Sequence, residues 1–239
     1  MAGAGEECAA MTLRLTGISS MATRALLAEL AVAFERHFGI ALAVEAVGGV
    51  DAAKRVAAGE AFDLVFLAAD AIDKLIAGGH LAAGSRVDLV RSPVAVAIRA
   101  GAPRPDIGSE EALKRAVLAA RTMGYSTGPS GTHLVKLFER WGVADEMKAR
   151  TVQAPPGVPV ASLVAKGEVE LGFQQLSELM NVSGVEVLGQ LPGAAQFITT
   201  FSAAPGKERS NAAAARAALD FMTSAEAAAI KRRHGMEPA

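Results

Sequence analysis

Short apolar runs alternate along this chain with stretches whose apolar residues recur every three or four positions, and small-residue corners join the two. The first run, Thr12–Thr16, reads as a strand. Leu26, Leu27, Leu30 and Phe34 then put one apolar face on a helix from about Ser20 to His37. Ile40–Val47 predicts a second strand, and Asp51 can cap a short helix over Asp51–Ala58. Phe62–Ala68 is almost unbroken in apolar character, as a parallel strand covered on both faces should be. Ala71–Ala77 is helical, and the Gly78-Gly79 pair stops it. This alternation predicts a parallel sheet with right-handed crossovers.

Val87–Ile98 is a long strand-like segment interrupted by Ser92-Pro93, where proline favours a crossing or a sheet edge. After a loop over Arg99–Gly108 a second series begins: helix Ser109–Ala120, strand Thr122–Ser126, helix Gly131–Trp141 and strand Thr151–Ala154. Helix Val160–Lys166, strand Val169–Phe173 and a short helix Gln175–Met180 continue it. Val185–Leu188 and Ala195–Ala203 are extended. Helices Asn211–Thr223 and Ala225–His234 follow, with starts marked by Ser210-Asn211 and by Ser224. The economical architecture is α/β with two lobes. The chain crosses near Val94 and returns near Ile198, so residues 11–93 and 199–239 form one lobe and 94–198 the other.

Four corners share a composition of Ser, Gly, Thr and Pro: Thr16-Gly17-Ile18-Ser19-Ser20, Val47-Gly48-Gly49-Val50-Asp51, Ser126-Thr127-Gly128-Pro129-Ser130-Gly131-Thr132 and Pro156-Gly157-Val158-Pro159-Val160. Each opens a helix, whose first N–H groups lack intrahelical partners and carry partial positive charge. Such corners cradle anions, and their scarcity of basic residues points to a small guest held by neutral dipoles.

Composition narrows the partners. At 239 residues the chain can bury a full core, and its 51% hydrophobic content comes largely from alanine, without the roughly 18–20 unbroken apolar residues of a spanning helix. Aromatics at 5% leave few stacking platforms, and a net charge of −1 argues against a nucleic-acid footprint. The expected partner is therefore a small anionic ligand, with neither nucleic acid nor membrane insertion. Residues 1–10 are small and acidic, without the basic start and apolar core of a secretory leader, and read as a disordered extension before Met11. The expectation is a cytoplasmic protein, or a periplasmic one if a leader precedes this chain. Cys8 lies in the extension, so neither an intramolecular disulfide nor a catalytic thiol is expected. No metal-ligand spacing and no P-loop motif occurs, and no cofactor is implied.

The order of elements resembles the type II periplasmic-binding-protein fold, and within it the molybdate-binding branch of solute receptors. Gly17-Ile18-Ser19-Ser20 lies where those receptors carry a serine loop. Phe62-Asp63-Leu64-Val65-Phe66-Leu67-Ala68-Ala69-Asp70 is similar to their third strand. Gly124-Tyr125-Ser126 with Ser130-Gly131-Thr132 resembles the start of their second-lobe helix, and Val160–Phe173 resembles the following helix–strand segment. The resemblance runs from about Thr12 to Pro238. It implies a two-lobed fold, each lobe a mostly parallel sheet flanked by helices, with an oxyanion held between them by serine hydroxyls, backbone N–H groups and a tyrosine. An ABC permease partner is implied if the chain is exported.

Two departures stand out. Gly48-Gly49 replaces the usual serine of the second corner, and Gln174-Gln175 replaces the tyrosine. An amide both donates and accepts, which suits a carboxylate or carboxylic acid as well as an oxyanion. Pro159–Gly167 together with Gly172–Leu179 looks most like a sub-branch that includes aconitate isomerase. Ligand contact is accordingly expected at Ser19, Ser20, Gly49, Ser130, Gly131, Thr132, Val160, Gln174 and Gln175. Lys54 is the basic residue expected to face the cleft. His133, one position after the third corner, is the candidate base if the protein is an enzyme. Two functions follow: a small-anion binding protein, and an isomerase that moves an allylic proton on an unsaturated tricarboxylate.

Overall fold

The computed structural model describes residues 13–207 and 211–239. The expected extension over residues 1–10, with Cys8, and Ser210 at a helix start lie outside the described residues. The first lobe opens with β1 (Arg14–Ser20), a 3-10 turn (Met21–Thr23) and α1 (Arg24–Phe38). Then come β2 (Ala41–Val47), α2 (Gly49–Ala57), β3 (Leu64–Ala68), α3 (Ala69–Ala77) and β4 (Val87–Arg99). The chain continues through α4 (Glu110–Ala119), β5 (Met123–Tyr125), α5 (Pro129–Arg140), α6 (Ala144–Lys148), β6 (Thr151–Gln153) and α7 (Val160–Lys166). It closes with β7 (Leu171–Gln175), α8 (Leu176–Leu179), β8 (Val185–Gln190), β9 (Ile198–Pro205), α9 (Ala212–Met222), α10 (Ala225–Arg233) and β10 (Glu237–Pro238).

The α/β architecture is the one expected. Strands β2, β1 and β3 are parallel neighbours; β9 pairs antiparallel with β3, and β4 pairs antiparallel with β9. Along β3 every residue is buried, with Leu64 and Phe66 facing one helical layer while Val65 and Leu67 face the other. Helices α1, α9 and α10 cover the first face, and α2 and α3 the second. A second core gathers Val96, Leu113, Met123, Phe138 and Phe173 around β7, β5 and β6.

Several boundaries differ from the expected ones. β1 runs on through Ser19 and Ser20, because Gly17–Ser20 pair with Val44–Val47 of β2 and the ladder satisfies their backbone. β4 is continuous through Ser92-Pro93. Val87–Pro93 pair with β9, whereas Val94–Gln175 begins the pairing with β7, so the residue lacking an N–H sits where the strand changes partners. α5 starts at Pro129 rather than Gly131, since proline fits the first helical position. α6 and β10 were not expected at all. Lys231, in the last turn of α10, points inward: it is 2% exposed and its Nζ donates to the Leu89 carbonyl at 2.9 Å.

Candidate functional site

The four corners converge. Ser20, Gly48, Gly49, Ser126, Thr127, Gly128, Ser130, Gly157 and Pro159 line one cleft, whose floor carries Gln174, Gln175 and Glu178. The corners nearly touch across it: a Cβ added at Gly48 would lie 3.7 Å from the Gly157 nitrogen, and one at Gly49 3.5 Å from Ser20 Cβ. The cavity is ≈ 70 Å³, against ~300–1,000 Å³ for drug-sized sites, so it fits a compact guest. A larger hollow of ≈ 490 Å³ lies beside Arg99, Pro103, Ala116 and Val169 and contains none of the four corners.

Strand ends place the donors. β1 delivers Ser20 to the cleft while its neighbour Ser19, fully buried, does not line it; successive side chains of a strand point to opposite faces. Both hydroxyls lack a hydrogen-bond partner among the described residues. Gly48 and Gly128 precede α2 and α5 without any side-chain cap, so the first N–H groups of α2 open onto the cleft. Helix α5, which starts at Pro129 and spends its Gly131 and Thr132 N–H groups on the Gly128 carbonyl, offers the Ser130 N–H. Ser130 Oγ lies 3.1 Å from Ser126 Oγ. One hydroxyl hydrogen of that pair is used between them, and the other remains for a guest. Gly131 is needed for this packing, since a Cβ there would come within 1.8 Å of the Ser126 carbonyl oxygen.

The floor is built from amides. Gln175 Nε2 donates to Thr199 Oγ1 at 2.7 Å, and its Oε1 is buried without a partner. Because a hydroxyl can donate or accept, the amide can turn over and keep Thr199, presenting either C=O or NH2 upward. Gln174 Oε1 accepts from the Val160 N–H at 2.9 Å, and its Nε2 donates to Glu178 Oε1 at 2.7 Å. Burial pushes the Glu178 carboxyl up to about 7, against the opposing effect of the Gln174 bond. Among the lining residues Glu178 alone is ionisable.

The other expected contacts are placed elsewhere. The Val160 N–H is consumed by Gln174, and the Gly131 and Thr132 N–H groups both donate to the Gly128 carbonyl at 3.1 Å. Thr132 and Lys54 are exposed and do not line the cleft. His133 is turned away: Nε2 sits 2.9 Å from the Ala195 carbonyl and the ring stacks on Phe197 at 4.5 Å between centroids. Sequence reasoning missed Glu178. No periodic spacing signals it, because Gln174 ends strand β7 while Glu178 lies on α8, and the two meet only where the chain turns from one into the other.

A family model described as "bacterial extracellular solute-binding protein" matches residues 15–237. The chain belongs to this solute-binding family. The match spans every corner of the cleft. Over 230 residues, 94% of this chain and 87% of the relative, it is 38% identical to a Pseudomonas sp protein named aconitate isomerase. In fold it is similar to the Azotobacter vinelandii periplasmic molybdate-binding protein, at 20% identity and a TM-score of 0.75, covering 93% of this chain and 98% of that one. The sulfate-binding protein SubI of Mycobacterium tuberculosis is also similar, at 16% identity and a TM-score of 0.77, covering 95% and 87%. The resemblance to molybdate receptors read in the sequence thus holds for this family member at the level of fold. Among the described residues no helix is long and apolar enough to cross a membrane.

Proposed function

We propose that this protein captures a small anion, an oxyanion or a polycarboxylate, between its two lobes, residues 11–93 with 199–239 and residues 94–198. One observation carries the reading: the buried, unpartnered Ser20 hydroxyl and the uncapped starts of α2 and α5 face one cleft whose lining holds no cation. Neutral donors replace the guest's hydration, and contacts from both lobes favour the closed form. The Gln175 amide, able to offer either end, suits a carboxyl group. Calorimetry with molybdate, tungstate, sulfate and a tricarboxylate tests this; absence of heat with all four refutes it. As a receptor the protein would be exported and meet an ABC permease, which cell fractionation and co-purification check.

A second reading is favoured by the 38% identical relative named aconitate isomerase together with an ionisable side chain in the cleft. Here the same site isomerises an unsaturated tricarboxylate. A proton leaves the methylene carbon and returns to the former vinylic carbon while the double bond shifts by one position. Fixed dipoles suit this chemistry because they need not reorient as charge develops. Incubation with trans-aconitate, followed by detection of the cis isomer, tests it.

A further inference from the structure

We propose that Glu178 is the catalytic residue that removes and returns the proton, an assignment that rests on the isomerase reading above. The lining offers no rival. Ser20, Ser126 and Ser130 are hydroxyls that would need a neighbouring base, and the cleft supplies none but Glu178. His133 is engaged with the Ala195 carbonyl and stacked on Phe197, and Lys54 stands exposed on α2.

The carboxyl is also held as a proton carrier should be. The Val160 N–H fixes Gln174, and Gln174 Nε2 fixes Glu178 Oε1, which pins one oxygen and leaves Oε2 without a hydrogen-bond partner among the described residues. Ser177 Oγ donates to the Ala22 carbonyl at 2.9 Å, tying α8 to the turn that follows Ser20. The carboxyl is therefore set in a defined position relative to the donors of the first corner. Charged residues on the elements packed against α8 are Asp88, Arg91 and Arg99 on β4, Lys166 on α7 and Glu186 on β8, and none of them lines the cleft. Burial alone brings the Glu178 carboxyl near neutrality, where both the base and its conjugate acid are populated.

In the step itself, a Glu178 oxygen takes one proton from the methylene carbon. The C–H electron pair becomes the new carbon–carbon π bond, and the old π pair moves to the former vinylic carbon. The protonated Glu178 then delivers the same proton to that carbon. Nothing is oxidised or reduced and no co-reactant is consumed. Ser20 and the N–H groups at the start of α2 hold the carboxylate into which charge spreads.

The test uses the intact protein, Glu178→Gln and Glu178→Asp, with trans-aconitate as substrate. Glutamine keeps an oxygen for the Gln174 amide, so the fold and binding are expected to survive. In the Gln variant kcat is expected to fall roughly 10²–10⁴-fold, while the calorimetric Kd, compared below pH 7 where Glu178 is protonated, moves by less than a few-fold. The Asp variant should retain intermediate turnover. The unaltered protein should show kcat/KM rising through about pH 7. Turnover in the Gln variant within a few-fold of the original overturns the assignment while leaving the isomerase reading standing. Joint loss of binding and turnover also overturns it, making Glu178 a binding group. No turnover by the unaltered protein removes the isomerase reading and the assignment together.

Discussion

Lys231→Met is expected to stabilise the protein at neutral pH. The ammonium of Lys231 is buried, and desolvation lowers its pKa from 10.5 to about 8. A drop of that size corresponds to about 3 kcal/mol by which the interior disfavours the charged form relative to the unfolded chain. Below pH 8 both states carry the charge, so the penalty is present in full. Between pH 8 and 10.5 the folded protein releases its proton first, and stability rises with pH. Above 10.5 the penalty is gone. Methionine removes the charge and fills similar space beside Leu27, Phe66 and Phe201, where the present void is only ≈ 10 Å³. The Leu89 carbonyl stays satisfied because the Ala239 N–H also donates to it, at 3.2 Å. Denaturant unfolding of both proteins from pH 6 to 10.5 measures the effect. The variant should be more stable by about 1–3 kcal/mol at pH 7, with the difference shrinking toward zero by pH 10.5. A variant less stable at pH 7, or a difference independent of pH, would show that the Leu89 bond outweighs burial of the charge.

Ser20→Ala removes a hydroxyl without a protein partner, so a loss of about 1–3 kcal/mol in anion affinity is expected with an unchanged or higher melting temperature; calorimetry and a melt read both. Gly131→Ala drives a methyl into the Ser126 carbonyl, so it should lower the melting temperature and abolish binding, whereas Ala at solvent-facing Gly142 should spare binding. Glu178→Gln should bind a polyanion more tightly than the unaltered protein above pH 7, and equally below it, because only the ionised carboxyl repels the guest. Because folding raises the Glu178 pKa from 4.5 to about 7, this group's contribution to stability is full below pH 4.5 and declines as pH rises through 7. The Gln variant should lack that decline in a pH series of melts.

Much of the fold was legible because hydrophobic period and small-residue corners agree along the first lobe. Val65 and Leu67 alternate with Leu64 and Phe66, and no reading other than a doubly covered strand fits them. The same local logic failed at β1, where Ser19-Ser20 look like a loop but both pair with β2, and Ser19 also pairs with Phe66 of β3. It failed at Lys231 too, since nothing in Lys231-Arg232-Arg233 tells which of three cations turns inward to Leu89. In the site, glycine and serine composition located the corners, because an uncapped helix start is a local property. Which N–H groups remain free is not local. Val160 loses its donor to a side chain fourteen residues away, and His133 is captured by Ala195 from a separate turn.

The cleft's neutrality and its single acid belong to one argument. A lining without Lys, Arg or His holds a polyanion through uncapped N–H groups and hydroxyls whose directions are set by strand ends. An ionised carboxylate ~4 Å from such a guest is unfavourable by about 4 kcal/mol at an effective dielectric of 20. A receptor gains nothing from it, and a glutamine at 178 would keep the Gln174 bond without the repulsion. The protein instead pins a carboxyl there through Gln174 and shields it from water until neutral and ionised forms are both accessible. That arrangement is useful where a proton must leave the guest and come back. The guest's own charge raises the carboxyl's proton affinity on binding, so the acid is strongest as a base when the cleft is occupied.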